Sequence, residues 1–178
     1  MPSPNSFPMT RPISVIARFR HLYDYERDCN AKVIRMLESV PAAARTSAQF
    51  TRAVGKAAHL VAARHMWLHR LGICQNKPAD WFPPTTLEEL PAATAAVESL
   101  WVTYLASLSD EDTYNDVQWM GFDGKRRRWP LMDLLTQIFG HAWYHRGQVA
   151  MLVKDLGGEP IDCDYIFWNR PTVIDELA

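Results

Sequence analysis

Apolar residues recur at helical spacing along four long stretches of the chain, separated by polar segments rich in proline or glycine. The first stretch predicts a helix over 13–40, where Val15, Phe19, Leu22, Cys29, Val33 and Met36 fall at intervals of three, four or seven and Glu26 interrupts the stripe. Pro41 ends it. The second predicts a helix over about 47–71, with Phe50, Val54, Ala57, Val61 and Leu68 on one stripe and Gly72 placed as a C-terminal cap. A proline-rich loop follows over 75–86. Thr86 and Glu89 have capping-box spacing, and Pro91 sits where a kink or the first turn of a helix is expected. The third helix then runs to about residue 108, with Ala95, Leu100, Trp101, Tyr104, Leu105 and Leu108 on its buried face. The polar SDED at 109–112 reads as a loop, and beyond it two short β-like runs flank Asp123-Gly124, a dipeptide suited to a tight hairpin. The fourth helix starts near Pro130, turns Leu131, Leu135, Ile138, Ala142, Val149 and Leu152 inward, and stops at Gly157-Gly158 with Pro160 beyond.

Four amphipathic helices in one chain of this length predict an all-α fold, a four-helix bundle with a short β-hairpin-like excursion before the fourth helix. The 178 residues, 48% of them apolar, suffice for one domain with a real core and are too few for two, so 1–178 is expected to form a single domain with 1–12 as a flexible lead. Nineteen basic residues against 20 acidic ones leave a net charge of −1, so no global positive field exists to hold nucleic acid or an anionic membrane. The one charge run, KRRR at 125–128, adjoins the turn and reads as a solvated surface. Cys29, Cys74 and Cys163 form no CxxC pair and are odd in number, which suits a reducing compartment and idle thiols. No stretch reaches the roughly 18 consecutive apolar residues of a membrane span, and the start lacks a signal-peptide core, so a cytoplasmic protein is expected.

The candidate chemistry lies in GHAWYHRGQ at 140–148. His141 and His145 stand four apart, which on a helix brings their side chains within about 40° of each other, close enough for both imidazoles to reach one ion. Imidazole suits zinc, nickel, copper and iron. The same spacing serves the HExxH metalloproteases, whose general base follows the first histidine. Here that position is Ala142, so the protease reading loses its base. A third ligand must come from His21, His59, His65 or His69. His59 and His65 lie about 120° apart around their helix and cannot share one face. The small and apolar Ala62, Ala63 and Met66 near His59 favour it slightly over His65 and His69, which stand beside Arg64 and Arg70.

Three segments together resemble the DinB family of small four-helix-bundle, metal-dependent proteins. These are HLYDYERDCNAKVIRMLESVP at 21–41, AHLVAARHMWLHRL at 58–71 and, most specifically, HAWYHRGQVAMLVKDLGGEPIDCDYIFW at 141–168, which is similar to the family's HxxxHRGQ helix with its glycine stop and closing Asp-Tyr-Ile. The resemblance implies that His59, His141 and His145 hold a divalent metal, zinc or nickel before others. Many relatives carry a further histidine one turn before the pair, where this chain has Gln137, and that change bears on hydrogen bonding near the site or on substrate choice. Arg146 and Gln148 are expected to fix the helix to its neighbours, Gly147 to allow a close helix approach, and Trp67 and Trp143 to pack in the core. Asp24, Glu26, Asp28 and Asp133 are the acids available to accept hydrogen bonds from metal-bound imidazoles.

Relatives with assigned activities imply a thiol-dependent transferase or isomerase, in which a low-molecular-weight thiol such as bacillithiol, mycothiol or glutathione attacks an electrophilic small molecule. A metal-dependent hydrolase using hydroxide is the second enzyme reading, and a non-catalytic bundle that binds a metal or a ligand is the third. An open cavity beside the metal would favour catalysis. The resemblance also implies a homodimer paired through bundle helices, with helices one and three as the candidate face. Nothing in the chain supports binding to DNA.

Overall fold

Two serines start the first two helices, each accepting a hydrogen bond from the amide three residues on: Ser14 from Ala17 and Ser47 from Phe50, both at 3.2 Å. The computed structural model describes residues 14–121 and 123–171; the expected lead over 1–12 lies outside the described residues. The first helix, α1, spans Val15–Glu38, and α2 spans Ala48–Arg70. Two helical stops are built alike. Gly72 and Gly157 take the left-handed conformation, at φ 75° and 78°, and the following amides, Ile73 and Gly158, reach back to the carbonyls of Leu68 and Val153 at 2.9 Å. Gly158 is needed for a second reason: a Cβ there would lie 2.8 Å from Val153 Cγ1 and 2.9 Å from both Ser39 Oγ and Val40 Cγ2, where the end of the fourth helix meets the end of α1.

Helix α3 spans Leu90–Ser107 with Pro91 in its first turn. The Thr86 amide donates to Glu89 Oε2 at 2.8 Å, half of the expected capping box, but the helix itself begins only after Glu89. A 3₁₀ turn at Glu111–Tyr114 takes up the second half of the expected loop and runs two residues beyond it, and the hairpin follows as β1, Asp116–Met120, and β2, Arg126–Pro130. The strands are antiparallel, with Val117 opposite Trp129 and Trp119 opposite Arg127, and the turn contains Gly124 at φ 73°. KRRR is exposed, with Lys125 just before β2 and its three arginines opening the strand, where Arg127 pairs with Asp123 and Arg128 with Asp116. Helix α4, Leu131–Asp155, and a single turn α5, Tyr165–Trp168, complete the described chain.

Helix α1 packs on α3 and α4, and α2 packs on α4 and α3, so α1 and α2 face each other across the bundle and the link over 39–47 crosses the diagonal. The buried faces differ in detail from the sequence pattern. On α3 the inward residues are Leu90, Thr94, Val97, Trp101 and Leu105, while Ala95 and Leu100 are exposed. That helix is apolar around most of its circumference, and alanine is tolerated on either side, so its pattern does not single out one face. Val15, Leu22, Val61 and Leu152 are half-buried at helix edges, and Val153 takes the inward place next to Leu152.

Glu26 is the largest departure from a plain apolar stripe. Its side chain is buried and takes a bidentate hydrogen bond from Arg64, with Nε and Nη2 each 2.6 Å from a carboxylate oxygen. Arg146, also buried, lies 3.6 Å away and donates to Asn30 Oδ1 at 3.1 Å. Arg64 also donates to the Ile138 carbonyl at 2.9 Å, and Trp101 Nε1 donates to the Arg64 carbonyl at 3.2 Å. All four long helices therefore meet at one polar junction. The buried apolar residues fall into two clusters, one holding Val33, Leu37, Val54 and Val149, the other Phe19, Leu68, Trp101 and Leu135.

Removing one member of a buried ion cluster strands the others in a low-dielectric interior. Glu26→Ala is expected to cost about 3–5 kcal/mol, measured by urea unfolding, whereas Asp24→Ala, which breaks an exposed pair with Arg27, is expected to leave the midpoint unchanged.

Candidate functional site

His59 lies midway along α2, and His141 and His145 lie in consecutive turns of α4, the helix that packs most extensively on α2. The three imidazoles converge. His141 Nε2 lies 3.2 Å from His59 Nε2 and 3.1 Å from His145 Nε2. His59 and His145 are buried and His141 is half-buried. Among the described residues, His59, His141 and His145 form the one group of three or more His, Cys, Asp or Glu side chains able to hold a metal ion. The other candidates are placed elsewhere: His21 packs against Tyr165 and Trp168, and His69 Nδ1 meets the Cys74 carbonyl.

Hydrogen bonds fix two of the three tautomers. His59 Nδ1 donates to the Trp81 carbonyl at 2.7 Å, and His145 Nδ1 donates to Gln148 Oε1 at 2.8 Å. Each ring therefore points an Nε2 lone pair at the common centre. His141 can offer at most one Nε2 proton to its two neighbours, so at least one contact sets lone pair against lone pair. A cation at the centre resolves that conflict. Tetrahedral zinc with bonds near 2.0–2.1 Å sets its nitrogen ligands about 3.3 Å apart, close to the two spacings observed.

The surroundings also keep the rings neutral, as ligands must be. Burial lowers the pKa of all three, and His141, which also faces the other two rings, is pushed down to about 4. The loop after α2 shields one side. Phe82 stacks on His59 with ring centroids 4.2 Å apart and planes 8° from parallel, next to the Trp81 carbonyl that orients the same ring. On another side His141 lines a cavity of about 580 Å³ together with Gln137, Trp67, Trp81, Trp119 and Trp129.

Several roles differ from expectation. Gln148 orients His145 within its own helix, whereas Arg146 fixes α4 to α1 through Glu26 and Asn30. Gly147 is exposed, and a Cβ there would meet nothing within 4 Å, so it serves no close helix approach. Trp143 is 48% exposed and is not a core residue, whereas half-buried Trp67 packs against the core on one side, as expected, and lines the cavity on the other. The Nδ1 partners of His59 and His145 are a carbonyl and an amide in place of Asp24, Glu26, Asp28 or Asp133. All three cysteines are free thiols. Cys29 is buried, and its hydrogen bond with Cys163 holds it below the ordinary thiol value while raising its partner. Trp81 and Phe82 were not anticipated. A backbone carbonyl has no sequence signature, and the proline-rich loop carried no periodicity that could aim it.

Elemental analysis of untagged protein is expected to find about one divalent ion per chain, lost in His59→Ala and in His141→Ala. Gln148→Leu is expected to keep that stoichiometry while weakening affinity about 10–100-fold, read by competition with a chelating dye.

No curated protein and no solved structure matches the chain. The family model described as the DinB family matches residues 9–176, nearly the whole sequence, with the described part of that span folded as a helical bundle. On that match the chain belongs to the DinB family.

Proposed function

We propose that this DinB-family protein is a metal-dependent enzyme that activates a low-molecular-weight thiol for attack on an electrophilic small molecule. The observation that carries the reading is the triad of convergent Nε2 lone pairs with His141 at the wall of an open cavity. Three neutral imidazoles leave the ion's charge undiminished, and three ligands leave coordination positions for other molecules, as catalytic sites do. A divalent ion held there, zinc or nickel by ligand type, supplies Lewis acidity that deprotonates a thiol or water near neutral pH.

The chain's own residues provide the rest. The Trp81 carbonyl and Gln148 hold two rings in one tautomer, and Phe82 covers His59. Ala142 stands where a metalloprotease carries its glutamate, so no side chain there takes a proton from water. A thiol needs less help, since it ionises far more readily than water. In the transfer reaction the thiol proton leaves to solvent, the sulfur lone pair forms a C–S bond, and the leaving group departs with the electron pair of the bond it breaks. With an unsaturated substrate the same addition, followed by bond rotation and loss of the thiol, is an isomerisation. Hydrolysis by hydroxide is the second reading and uses the same ligands.

The two are separated by rate assays on zinc- and nickel-loaded protein. With 1-chloro-2,4-dinitrobenzene, conjugation by bacillithiol, mycothiol or glutathione is expected to exceed the uncatalysed rate and to fall at least about 100-fold in His141→Ala. Hydrolysis of 4-nitrophenyl acetate without thiol, abolished in the same variant, would instead favour the hydrolase.

A further inference from the structure

Four of the seven tryptophans line the cavity beside His141, and they come from separate parts of the chain: Trp67 on α2, Trp81 in the following loop, Trp119 on β1 and Trp129 on β2. Trp101 shows the alternative use of an indole, packed 1% exposed among the helices with its Nε1 bonded to a carbonyl. Trp129, by contrast, is 42% exposed, and Trp67, Trp81 and Trp119 are half-buried. Such large rings left partly in water around a void hold apolar surface that a ligand can cover.

The arrangement is ordered. Trp119 meets Trp67 edge to face, with centroids 5.4 Å apart and planes at 74°, and meets Trp129 in the same way at 5.4 Å and 63°. The hairpin register produces the second contact, because Trp119 is paired with Arg127 and Val117 with Trp129, which sets the two indoles as diagonal neighbours on one face. Arg70 lies over both Trp67, 4.6 Å from the ring centroid, and Trp81, at 5.3 Å, and brings positive charge to the same wall. A volume of about 580 Å³ suits a small organic molecule rather than a peptide segment.

We infer that this cavity binds a flat aromatic molecule, its ring held by Trp67, Trp119 and Trp129 beside His141, and that the electrophile attacked under the reading above is therefore an aromatic compound. The hairpin is then a specificity element: it supplies two of the three indoles and none of the metal-binding histidines. A saturated ring of the same size would cover similar apolar area but could not add to the edge-to-face array, so discrimination rests on aromaticity itself.

The test is calorimetric titration of the full chain with 1-naphthoate and with its saturated counterpart, decahydro-1-naphthoate, each in chelator-treated and in zinc-loaded protein. Both probes are anions, so the charge near Arg70 cancels in the comparison. 1-Naphthoate is expected to bind about tenfold tighter, with or without zinc, and the ratio is expected to fall below about threefold in Trp119→Leu and Trp129→Leu. Circular dichroism and zinc stoichiometry, unchanged in both variants, exclude loss of the fold. Equal affinity for the two probes, binding of neither, or a ring preference that survives both substitutions overturns the inference while leaving the metal reading intact. A protein that takes up no zinc yet prefers the aromatic ring sinks the metal reading, and the electrophile with it, and keeps the aromatic-binding cavity.

Discussion

The buried junction of Glu26, Arg64 and Arg146 governs how the helices can be arranged. A carboxylate and two guanidinium groups removed from water are costly unless they meet with good geometry, and here one helix supplies the anion while the two helices packed against each other supply the cations. Sliding α2 by one turn along α4 would move Arg64 about 5.4 Å, out of reach of Glu26. It would also carry His59, five residues away on the same helix, off the two histidines of α4. Arg146 directly follows His145, so the second cation ties the other half of the metal-binding group to the same junction. Trp101 extends the constraint to α3 through its bond to the Arg64 carbonyl. Register, the least specified quantity in a bundle of apolar stripes, is thus set by charge next to the site that needs it.

The histidine group shows the complementary logic, in which polar atoms are turned toward one another without mutual satisfaction. Two rings spend their Nδ1 protons outward, on the Trp81 carbonyl and on Gln148, and burial keeps all three neutral. Convergent lone pairs are unfavourable by themselves and suited to a cation, so the bundle holds a small reserve of electrostatic conflict in the orientation that a ligand set requires. Phe82 limits access over His59, and the approach past His141 runs through the indole-lined cavity. The helices provide the ligands, while the loop after α2 and the hairpin provide the walls, a division that lets the surroundings vary without disturbing the metal-binding core.

Much of this architecture is legible in the chain. The four helices lie where apolar periodicity and the stops at Pro41, Gly72 and Gly157 place them, and the hairpin turns near Asp123-Gly124 as that dipeptide predicts. The pairing of His141 with His145 follows from helical geometry alone, because four residues span about one turn. Membership of the DinB family is legible for the same reason, since the motif that carries it is local. The choice of His59 was weakly marked: spacing gave it a slight preference among four histidines, and resemblance supplied the rest.

Local pattern falls short wherever a partner distant in the chain decides the outcome. Glu26 read as a flaw in an apolar stripe and Arg64 as a polar flank, because nothing near either residue announces the other 38 positions away. Trp67 read as core and proved to be cavity wall as well, since only the hairpin and the loop, folded over α2, decide whether the outer side of that ring meets protein or open space. The Trp81 carbonyl and Gln148 became ring partners through backbone placement and rotamer, which carry no residue code. The sequence by itself determined the helices, their ends and the spacing of two ligands, all consequences of backbone geometry and solvent preference within a few turns. Tertiary structure decided which faces meet, which charge is neutralised and which rings line a void, because each depends on atoms that only the packed chain brings within a few ångströms.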